Sequence, residues 1–451
     1  MNRKPGFIIA ATKSGGGKTT LTLGIMAALV KRGLSVQPFK CGPDFIDPTL
    51  HRSITSIISY NLDPKMMGPD CCRETFLEKS QSGDVSVIEG VMGLFDGGQA
   101  STAALSKILK IPVVLIIDAQ SSAESSAAVL NGFQSYDKDI EIAGVIFNKI
   151  GSQRHQDLIE KAVKDNCRVP IIGFMGRDTA FHIPERHLGL HMGSERPLDD
   201  KSILRLIEEV ENKLNLDLLP GIAQCKKSEP NSSFTVHLKS KKHVRVGVAM
   251  DEAFCFYYPQ NFEILESQGI ELVPFSPIHD KKLPESLQML YFGGGYPENY
   301  CRELSLNDAM RHGVKSFYDQ GLPIYGECGG FMYLCKSITD MKSRSFEMVS
   351  IFDFETTMNN RLRRLGYRRV TLQKDCLLGK CGDILHGHEF HYSDINQDVS
   401  LENRGSEVTH LYLLDNNSYE GYSVGSAVGS YVHLHFGRTP RAPKWLYNQL
   451  I

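Results

Sequence analysis

The sequence lacks the features of several large protein classes, beginning with an excess of charge of one sign. Its 451 residues include 50 lysines and arginines against 52 aspartates and glutamates, a net charge of −2. This balance argues against the basic surface of a nucleic-acid-binding protein. No apolar run approaches the roughly 20 residues of a membrane-spanning helix, and the N-terminus lacks the apolar stretch of a signal peptide. We therefore expect no nucleic acid and no membrane among the partners.

The sequence also lacks a cysteine motif that would indicate disulfides or a metal site. Eleven cysteines are present, yet none forms a C-x-x-C pair and their spacing shows no repeated frame. Scattered cysteines in a chain of this length are typical of reduced thiols and not of a disulfide scaffold. Internal repeats and low-complexity tracts are absent as well. We expect a cytoplasmic protein.

The length favours two domains of about 200 residues each. In both halves, short β-branched runs alternate with helical patterns, which indicates parallel sheets covered on both faces. Strands are predicted over 7–11, 85–88, 113–117, 143–147, 171–173, 244–249, 271–275, 289–292, 323–325 and 431–434, and helices over 19–31 and 154–164. A segment rich in proline, glycine, serine and lysine separates the two series. We predict domains over 1–220 and 244–451, joined by a linker over 221–243.

A glycine-rich stretch lies between the first predicted strand and the first predicted helix. Residues 11–20 read Ala-Thr-Lys-Ser-Gly-Gly-Gly-Lys-Thr-Thr, which in this context predicts a P-loop for the phosphates of ATP. Lys18 would contact the β- and γ-phosphates, and the Thr19 hydroxyl would bind Mg²⁺. The predicted nucleotide-binding residues of this loop are Gly15, Gly16, Gly17, Lys18, Thr19 and Thr20. Thr12 replaces the usual first glycine, and Lys13 matches the additional lysine of deviant P-loop ATPases.

Acidic residues suited to the metal follow later predicted strands. Glu89 ends an apolar strand, as a Walker-B-type acid does. Asp44 and Asp47 lie in a Gly/Pro loop after the second strand region, and Asp96 lies in a second glycine-containing loop; single aspartates in such loops are most often turn formers. Asn148 ends another apolar strand, where it could contact the adenine.

A second motif places a cysteine at the apex of a tight turn. Residues 323–334 predict a strand, a small-residue turn with Cys328, and a helix, which is the nucleophile-elbow arrangement. We expect the helix N-terminus to lower the pKa of this thiol. A cysteine nucleophile needs a base, and His433 and His435 lie at the end of a later apolar strand. Residues 292–298 form a glycine turn that could present N–H groups to an oxyanion.

Together these motifs resemble the cobyrinic acid a,c-diamide synthase family, cobalamin-pathway glutamine amidotransferases with a dethiobiotin-synthetase-like ATPase domain and a class I glutaminase-like domain. The stretches that carry the resemblance occur in the expected order along nearly the whole chain: 12–20, 42–48, 89–97, 184–190, 256–259, 293–298, 327–330, 387–393 and 430–435. The resemblance implies an α/β fold in which a P-loop NTPase-type parallel-sheet domain precedes a flavodoxin-like glutaminase domain.

The resemblance also implies a mechanism. Cys328 would attack the amide of L-glutamine with His433 as base, and the ammonia released would amidate two acetates of a corrin-like tetrapyrrole that ATP had activated as acyl phosphates. Thr19, Glu89 and Asp44 would hold Mg²⁺. Substrate contacts are expected from Asp47, Asp96 and His388. For His388, whose neighbours include two more histidines, contact with substrate carboxylates is favoured over a metal site.

Several alternatives stay open at this level. Many class I glutaminases carry a glutamate two residues after the histidine, whereas this chain has His435, so the third triad member is unassigned. Related enzymes amidate sirohydrochlorin-type rings, including the nickel form and sirohaem, with the same chemistry. Lys13 would also suit a partition-type ATPase switch with a non-catalytic glutaminase-like domain. The ring metal, the order of amidations and the ammonia path are not determined by sequence, which also permits a homodimer.

Overall fold

The computed structural model describes residues 4–177, 185–186, 189–190, 199–223, 243–395, 408–439 and 441–451. The chain divides into two compact units, Met1–Phe234 and Thr235–Ile451. Most of the predicted linker and part of the 184–190 stretch lie outside the described residues. The predicted domain borders therefore stay a prediction. Within the described parts of the chain, every helix is too short or too polar to cross a membrane.

The first unit alternates strands with helices. Its strands are β1 Gly6–Ala11, β2 Val36–Cys41, β3 Tyr60–Leu62, β4 Val85–Glu89, β5 Val113–Asp118, β6 Ile142–Ile150, β7 Ile171–Gly176, β8 Glu185–Arg186 and β9 Gly189–Leu190. Its helices are α1 Lys18–Lys31, α2 Ile46–Thr55, α3 Pro69–Lys79, α4 Thr102–Leu109, α5 Ser125–Tyr136, α6 Gln153–Asn166, α7 Asp200–Lys213 and α8 Leu219–Ile222.

A seven-stranded sheet in the order β3-β2-β4-β1-β5-β6-β7 forms the centre of this unit. All its strand pairs are parallel. Side chains of β1 alternate between two buried clusters, since Phe7 and Ile9 belong to one and Ile8 and Ala10 to the other. Both faces are therefore covered, as continuous apolar strands require. The predicted parallel α/β domain is confirmed.

Local chemistry explains where the surrounding helices begin. Ser101, Ser152 and Asp199 each accept a hydrogen bond from a first-turn N–H group, and so cap α4, α6 and α7. On one face of the sheet, α1 approaches α7 so closely that a Cβ on Gly24 would lie 2.7 Å from Val210. These contacts fix α1, whose first residues bear the P-loop lysine.

The second unit contains more strands than the sequence pattern predicts. Its strands are β10 Val244–Ala249, β11 Ile270–Phe275, β12 Met289–Phe292, β13 Ile324–Glu327, β14 Cys335–Thr339, β15 Ser345–Glu347, β16 Phe352–Met358, β17 Arg364–Leu372, β18 Ile384–His391, β19 Ser393–Ile395, β20 Thr409–Leu414, β21 Tyr419–Val424, β22 Ala427–Ser430 and β23 Val432–Leu434. Its helices are α9 Pro259–Ser267, α10 Cys301–Leu306, α11 Asp308–Asp319, α12 Gly329–Leu334 and α13 Arg441–Leu450.

The main sheet of this unit has ten strands in the order β11-β10-β12-β13-β22-β21-β20-β17-β18-β23. Strands β11 to β22 in this order pair in parallel, as predicted for the flavodoxin-like part. The remaining pairs are antiparallel. A separate four-stranded sheet has the order β15-β14-β16-β19. Apart from β23, the antiparallel strands were not predicted, because their sequences lack continuous apolar runs.

Candidate functional site

The glycine-rich loop joins β1 to α1 at the carboxyl edge of the parallel sheet, where ligands bind in open α/β folds. Gly15 and Gly17 have φ angles of 72° and 91°, which side chains rarely adopt. The Asn148 amide donates to the carbonyl of Gly16 at 3.0 Å, and a Cβ on Gly17 would lie 2.3 Å from the same amide nitrogen. Asn148 thus braces the loop, and its predicted contact with adenine stays a prediction.

The lysines of the loop have different surroundings. Lys18 donates to the carbonyl of Met92, and burial together with the neighbouring Lys40 ammonium lowers its pKa. Lys13, the additional lysine, forms an ion pair of 3.1 Å with Asp118 of the same chain, and Lys149 pairs with that carboxylate at 3.0 Å. The carboxylate of Asp118 therefore ties Lys13 to the end of β5.

Glu89 lies fully buried at the end of β4 beside the P-loop. Its carboxylate accepts hydrogen bonds from the Thr19 hydroxyl at 2.6 Å and from Lys40 at 3.1 Å, and contacts the imidazole of His51 at 2.8 Å. Although burial opposes ionisation, Lys40, His51 and Thr19 hold the pKa of Glu89 well below its usual value. An ionised carboxylate beside a hydroxyl is an oxygen donor set that fits Mg²⁺.

The three predicted aspartates are placed differently from one another. Asp47 lies in the first turn of α2 and not in a loop, because the helix begins at Ile46 directly after the Gly/Pro turn. Asp47 is buried and paired with Lys40. Asp44 accepts the N–H of Ile46 at 2.7 Å, and Asp96 accepts the N–H of Gly93 at 3.1 Å, both as turn-forming side chains. Binding roles for these aspartates stay predictions.

In the second unit, Cys328 has the strained backbone of a nucleophile elbow, with φ 47° and ψ −106° between β13 and α12. Its N–H donates to the carbonyl of Ser430 at 2.7 Å. Its glycine neighbours are sterically required, because a Cβ on Gly330 would lie 2.2 Å from the carbonyl oxygen of Phe292. The sequence-predicted elbow is present.

The pKa of the thiol differs from the prediction. Burial raises the pKa of Cys328 above its usual value, and the Glu298 carboxylate acts in the same direction. The predicted net lowering is wrong: the N–H of Gly329 at the start of α12 acts to lower the pKa, but burial of the thiol outweighs it. The thiol is therefore protonated at rest and depends on a base.

His433, the predicted base, lies on a strand near this elbow. It lies on β23 directly opposite His388 on β18. A Cβ on Gly294 would lie 2.3 Å from Cε1 of His433, and one on Gly329, next to the nucleophile, would lie 3.1 Å from the backbone nitrogen of Gly295. The predicted glycine turn therefore contacts both the imidazole and the elbow. Burial, with His388 and His391 nearby, lowers the pKa of His433 to about 3, so the ring is neutral at rest.

His435, which stands where many class I glutaminases have a glutamate, and Glu389 on the neighbouring strand both make contacts of their own. His435 accepts the N–H of Gly437 on its Nδ1 at 3.0 Å, and its ring lies 5.2 Å from that of Tyr258. Glu389 contacts His391 at 2.9 Å and Arg368 at 2.5 Å. The third member thus remains unassigned by side-chain contacts in the described residues. His388 remains a predicted substrate contact.

Comparison with known proteins gives matches over both units. Residues 7–190 match the CobQ/CobB/MinD/ParA nucleotide binding domain, and residues 245–440 match the CobB/CobQ-like glutamine amidotransferase domain. A cobyrinate a,c-diamide synthase of Caldanaerobacter subterraneus subsp. tengcongensis is 40% identical, over 95% of this chain and 94% of that protein. The chain belongs to the cobyrinate a,c-diamide synthase family. Proteins of the same name from Listeria monocytogenes serotype 4b, at 40% identity over 95% of this chain and 96% of that one, and from Methanosarcina barkeri, at 41% over 96% and 93%, are similarly related.

Membership of the cobyrinate a,c-diamide synthase family establishes the enzyme class. The chain is a ligase that forms carbon–nitrogen bonds with glutamine as amido donor, and it has a nucleotide-binding domain. Sequence reasoning missed Lys40 and His51, which contact Glu89 from β2 and α2. Lys40 was visible as a charged residue one position before the end of β2, but its partners become known only from the fold.

The contact between Gly294 and His433 makes a prediction for this family member. Gly294→Ala would place a methyl group where the imidazole lies, so we expect glutaminase kcat to fall roughly 100-fold, as a displaced catalytic group causes. Amidation with free ammonia should be unchanged, because the nucleotide site lies in the other unit. Steady-state glutamate release measures the first effect. Gly313→Ala, in α11, where a Cβ would make only an ordinary contact with Leu283 at 4.0 Å, is the control. Equal glutaminase activity of the two variants would contradict the placement of His433.

Proposed function

We propose that the chain amidates the a and c acetate carboxylates of cobyrinic acid in cobalamin biosynthesis, with ATP and glutamine. The observation that carries this proposal is the nearly full-length match to relatives named for that reaction. The P-loop and the thiol elbow alone support the chemistry but not the choice of ring. We assign the reaction to the cytoplasm.

The second unit would release ammonia from glutamine. The Cys328 sulfur attacks the side-chain amide carbon while neutral His433 takes the thiol proton. Negative charge on the amide oxygen is stabilised by backbone N–H groups of the glycine turn and elbow. Collapse of the tetrahedral adduct forms the glutamyl thioester, and the imidazolium gives its proton to the departing ammonia. Water, deprotonated by His433, then hydrolyses the thioester and frees glutamate and the thiol.

The first unit would activate the ring carboxylate. A carboxylate oxygen attacks the γ-phosphorus of ATP, the bond to the β-phosphate oxygen breaks, and an acyl phosphate and ADP result. Ammonia then attacks the acyl carbon, phosphate leaves, and the amide loses a proton; a second cycle amidates the other acetate. Lys18 and the loop N–H groups balance the phosphate charge.

Mg²⁺ completes the phosphate site in this proposal. Thr19, Glu89 and Asp44 would hold the ion, which when bound neutralises charge on the phosphate oxygens. The ionised state of Glu89, maintained by Lys40 and His51, supports this assignment. Asp47 and Asp96 are proposed to help position substrate carboxylates or the ion, and His388 to contact a substrate carboxylate.

Product mass tests the choice of ring. Purified protein with ATP, Mg²⁺ and glutamine is offered cobyrinic acid, sirohydrochlorin, nickel-sirohydrochlorin and sirohaem separately. We expect a doubly amidated product from cobyrinic acid and not from the other rings. Preference for a sirohydrochlorin-type ring would keep the chemistry and overturn the substrate. ATP hydrolysis without any ring product would favour the partition-type switch.

A further inference from the structure

Glu327, the residue directly before the nucleophile, has a buried carboxylate with donors from three strands. Its Oε1 accepts hydrogen bonds from the Tyr325 hydroxyl at 2.7 Å and from the backbone N–H of Leu434 at 3.0 Å. Its Oε2 accepts one from the Tyr291 hydroxyl at 3.0 Å. The residue is 2% exposed. A carboxylate at such depth is costly unless its hydrogen bonds are made, so these three donors fix its position.

The bond to Leu434 connects the two reacting residues. Leu434 directly follows His433, and Glu327 directly precedes Cys328. One carboxylate oxygen therefore holds the strand of the base against the strand of the nucleophile, with a single peptide bond intervening on each side.

β23 needs such a connection because it is the last strand of the ten-stranded sheet. Among the described strands its only ladder partner is β18, and an edge strand has unpaired backbone groups. Side chains occupy the other edge: Asn261 donates to the carbonyl of Leu434 at 2.8 Å, and the hydroxyl of Ser430 accepts the N–H of Val432 at 2.9 Å. Glu327 is the member of this set that reaches the strand from the nucleophile elbow.

We propose that Glu327 is a positioning residue that holds the backbone of His433 at the Cys328 elbow, and so provides the orientation that a triad acid provides in other glutaminases. The inference rests on the proposed glutaminase reaction. Glu389 and His435 make contacts elsewhere, with His391 and with the N–H of Gly437.

Two substitutions at Glu327 separate orientation from folding. Glu327→Ala removes the acceptor for Leu434, and we expect glutaminase kcat to fall about 100-fold with a small change in KM, the loss expected for charge-assisted hydrogen bonds. Glu327→Gln keeps an oxygen for Leu434 and Tyr325, and should retain activity within about tenfold of the wild type. Amidation with free ammonia should be unchanged in both. Glu303→Gln, an exposed carboxylate on α10, is the control.

The pH dependence distinguishes orientation from a merely structural role. Burial raises the pKa of Glu327 to about 7, and the titratable groups around it are Cys328 and buried tyrosines whose pKa values are raised. A raised carboxyl pKa means that the folded state loses stability as pH rises through it. At about pH 8, Glu327→Gln should therefore have a Tm at least equal to the wild type but a lower kcat. Its kcat should also lack the limb near neutrality that we expect in the pH profile of the wild type.

For Glu327→Gln we expect a Tm at least equal to that of the wild type together with a lower kcat. We also expect Glu327→Gln to retain more glutaminase activity than Glu327→Ala. Wild-type kcat in folded Glu327→Ala, or equal losses of Tm and kcat in Glu327→Gln, would overturn the inference. A wild-type chain that hydrolyses no glutamine would instead contradict the proposed function itself.

Discussion

Cys328→Ala is expected to abolish amidation with glutamine, by at least about 1,000-fold, because removing a nucleophile leaves only the binding contribution to catalysis. Amidation with free ammonia should persist at close to the wild-type rate. The strained elbow and its contact with Ser430 are backbone features, so alanine, which has a Cβ as cysteine does, can adopt them at a similar cost. The measurement is the ratio of product formed with glutamine to product formed with free ammonia, on the same preparation of the variant.

A matched control for Cys328→Ala is Cys381→Ala. Cys381 is an exposed thiol of the same unit. Its replacement should leave the amidation rate unchanged with either nitrogen source. Glutamine-dependent activity that survives in Cys328→Ala would show that the glutaminase-like unit acts only as a scaffold. Loss of both activities would indicate misfolding, which a Tm measurement on the variant identifies.

Lys18→Ala should have the opposite pattern. We expect amidation to fall about 1,000-fold with either nitrogen source, because an electrostatic partner of the transferred phosphoryl group is lost. Hydrolysis of glutamine to glutamate should continue, since Cys328 and His433 lie in the other unit. The surroundings of Lys18 support a charged role, because the carboxylates of Glu89, Asp47 and Asp96 act on it and partly offset the effect of burial on its pKa.

The control for Lys18→Ala is Lys107→Ala, an exposed lysine of the same unit paired with Asp137. Its amidation rate should equal that of the wild type. A wild-type rate of ammonia-dependent amidation in Lys18→Ala would contradict the proposed role of the P-loop lysine in the reaction. Together with Cys328→Ala, this variant assigns each half-reaction to one unit.

The motifs that the sequence predicts well are continuous in the chain. The P-loop from Gly15 to Thr19 and the elbow at Cys328 each consist of a strand, a turn and a helix, so local backbone requirements are visible in the order of residues. Strand positions agree for the same reason, and β12 is found over the predicted residues 289–292. Continuous apolar runs specify buried parallel strands without knowledge of their neighbours.

What the sequence could not give depends on contacts between distant segments. Lys40, His51 and Glu89 meet because β2 and β4 are neighbours in the sheet and α2 packs over them. The thiol pKa was mispredicted because burial by other strands outweighs the short helix behind Cys328. The role inferred for Glu327 depends on the edge position of β23, which only the sheet order shows. Contacts between distant segments, the burial of a thiol and the position of a strand in a sheet cannot be predicted from the spacing of motifs.

The most direct test of the central claim follows nitrogen from glutamine into the ring. Wild-type protein is given ATP, Mg²⁺, cobyrinic acid and glutamine labelled with heavy nitrogen in its side-chain amide, with unlabelled ammonia present as competitor. The account predicts a product with label in both new amides, and one ATP consumed for each. Label that appears only as free ammonia, with ATP consumed and the ring unchanged, would contradict it.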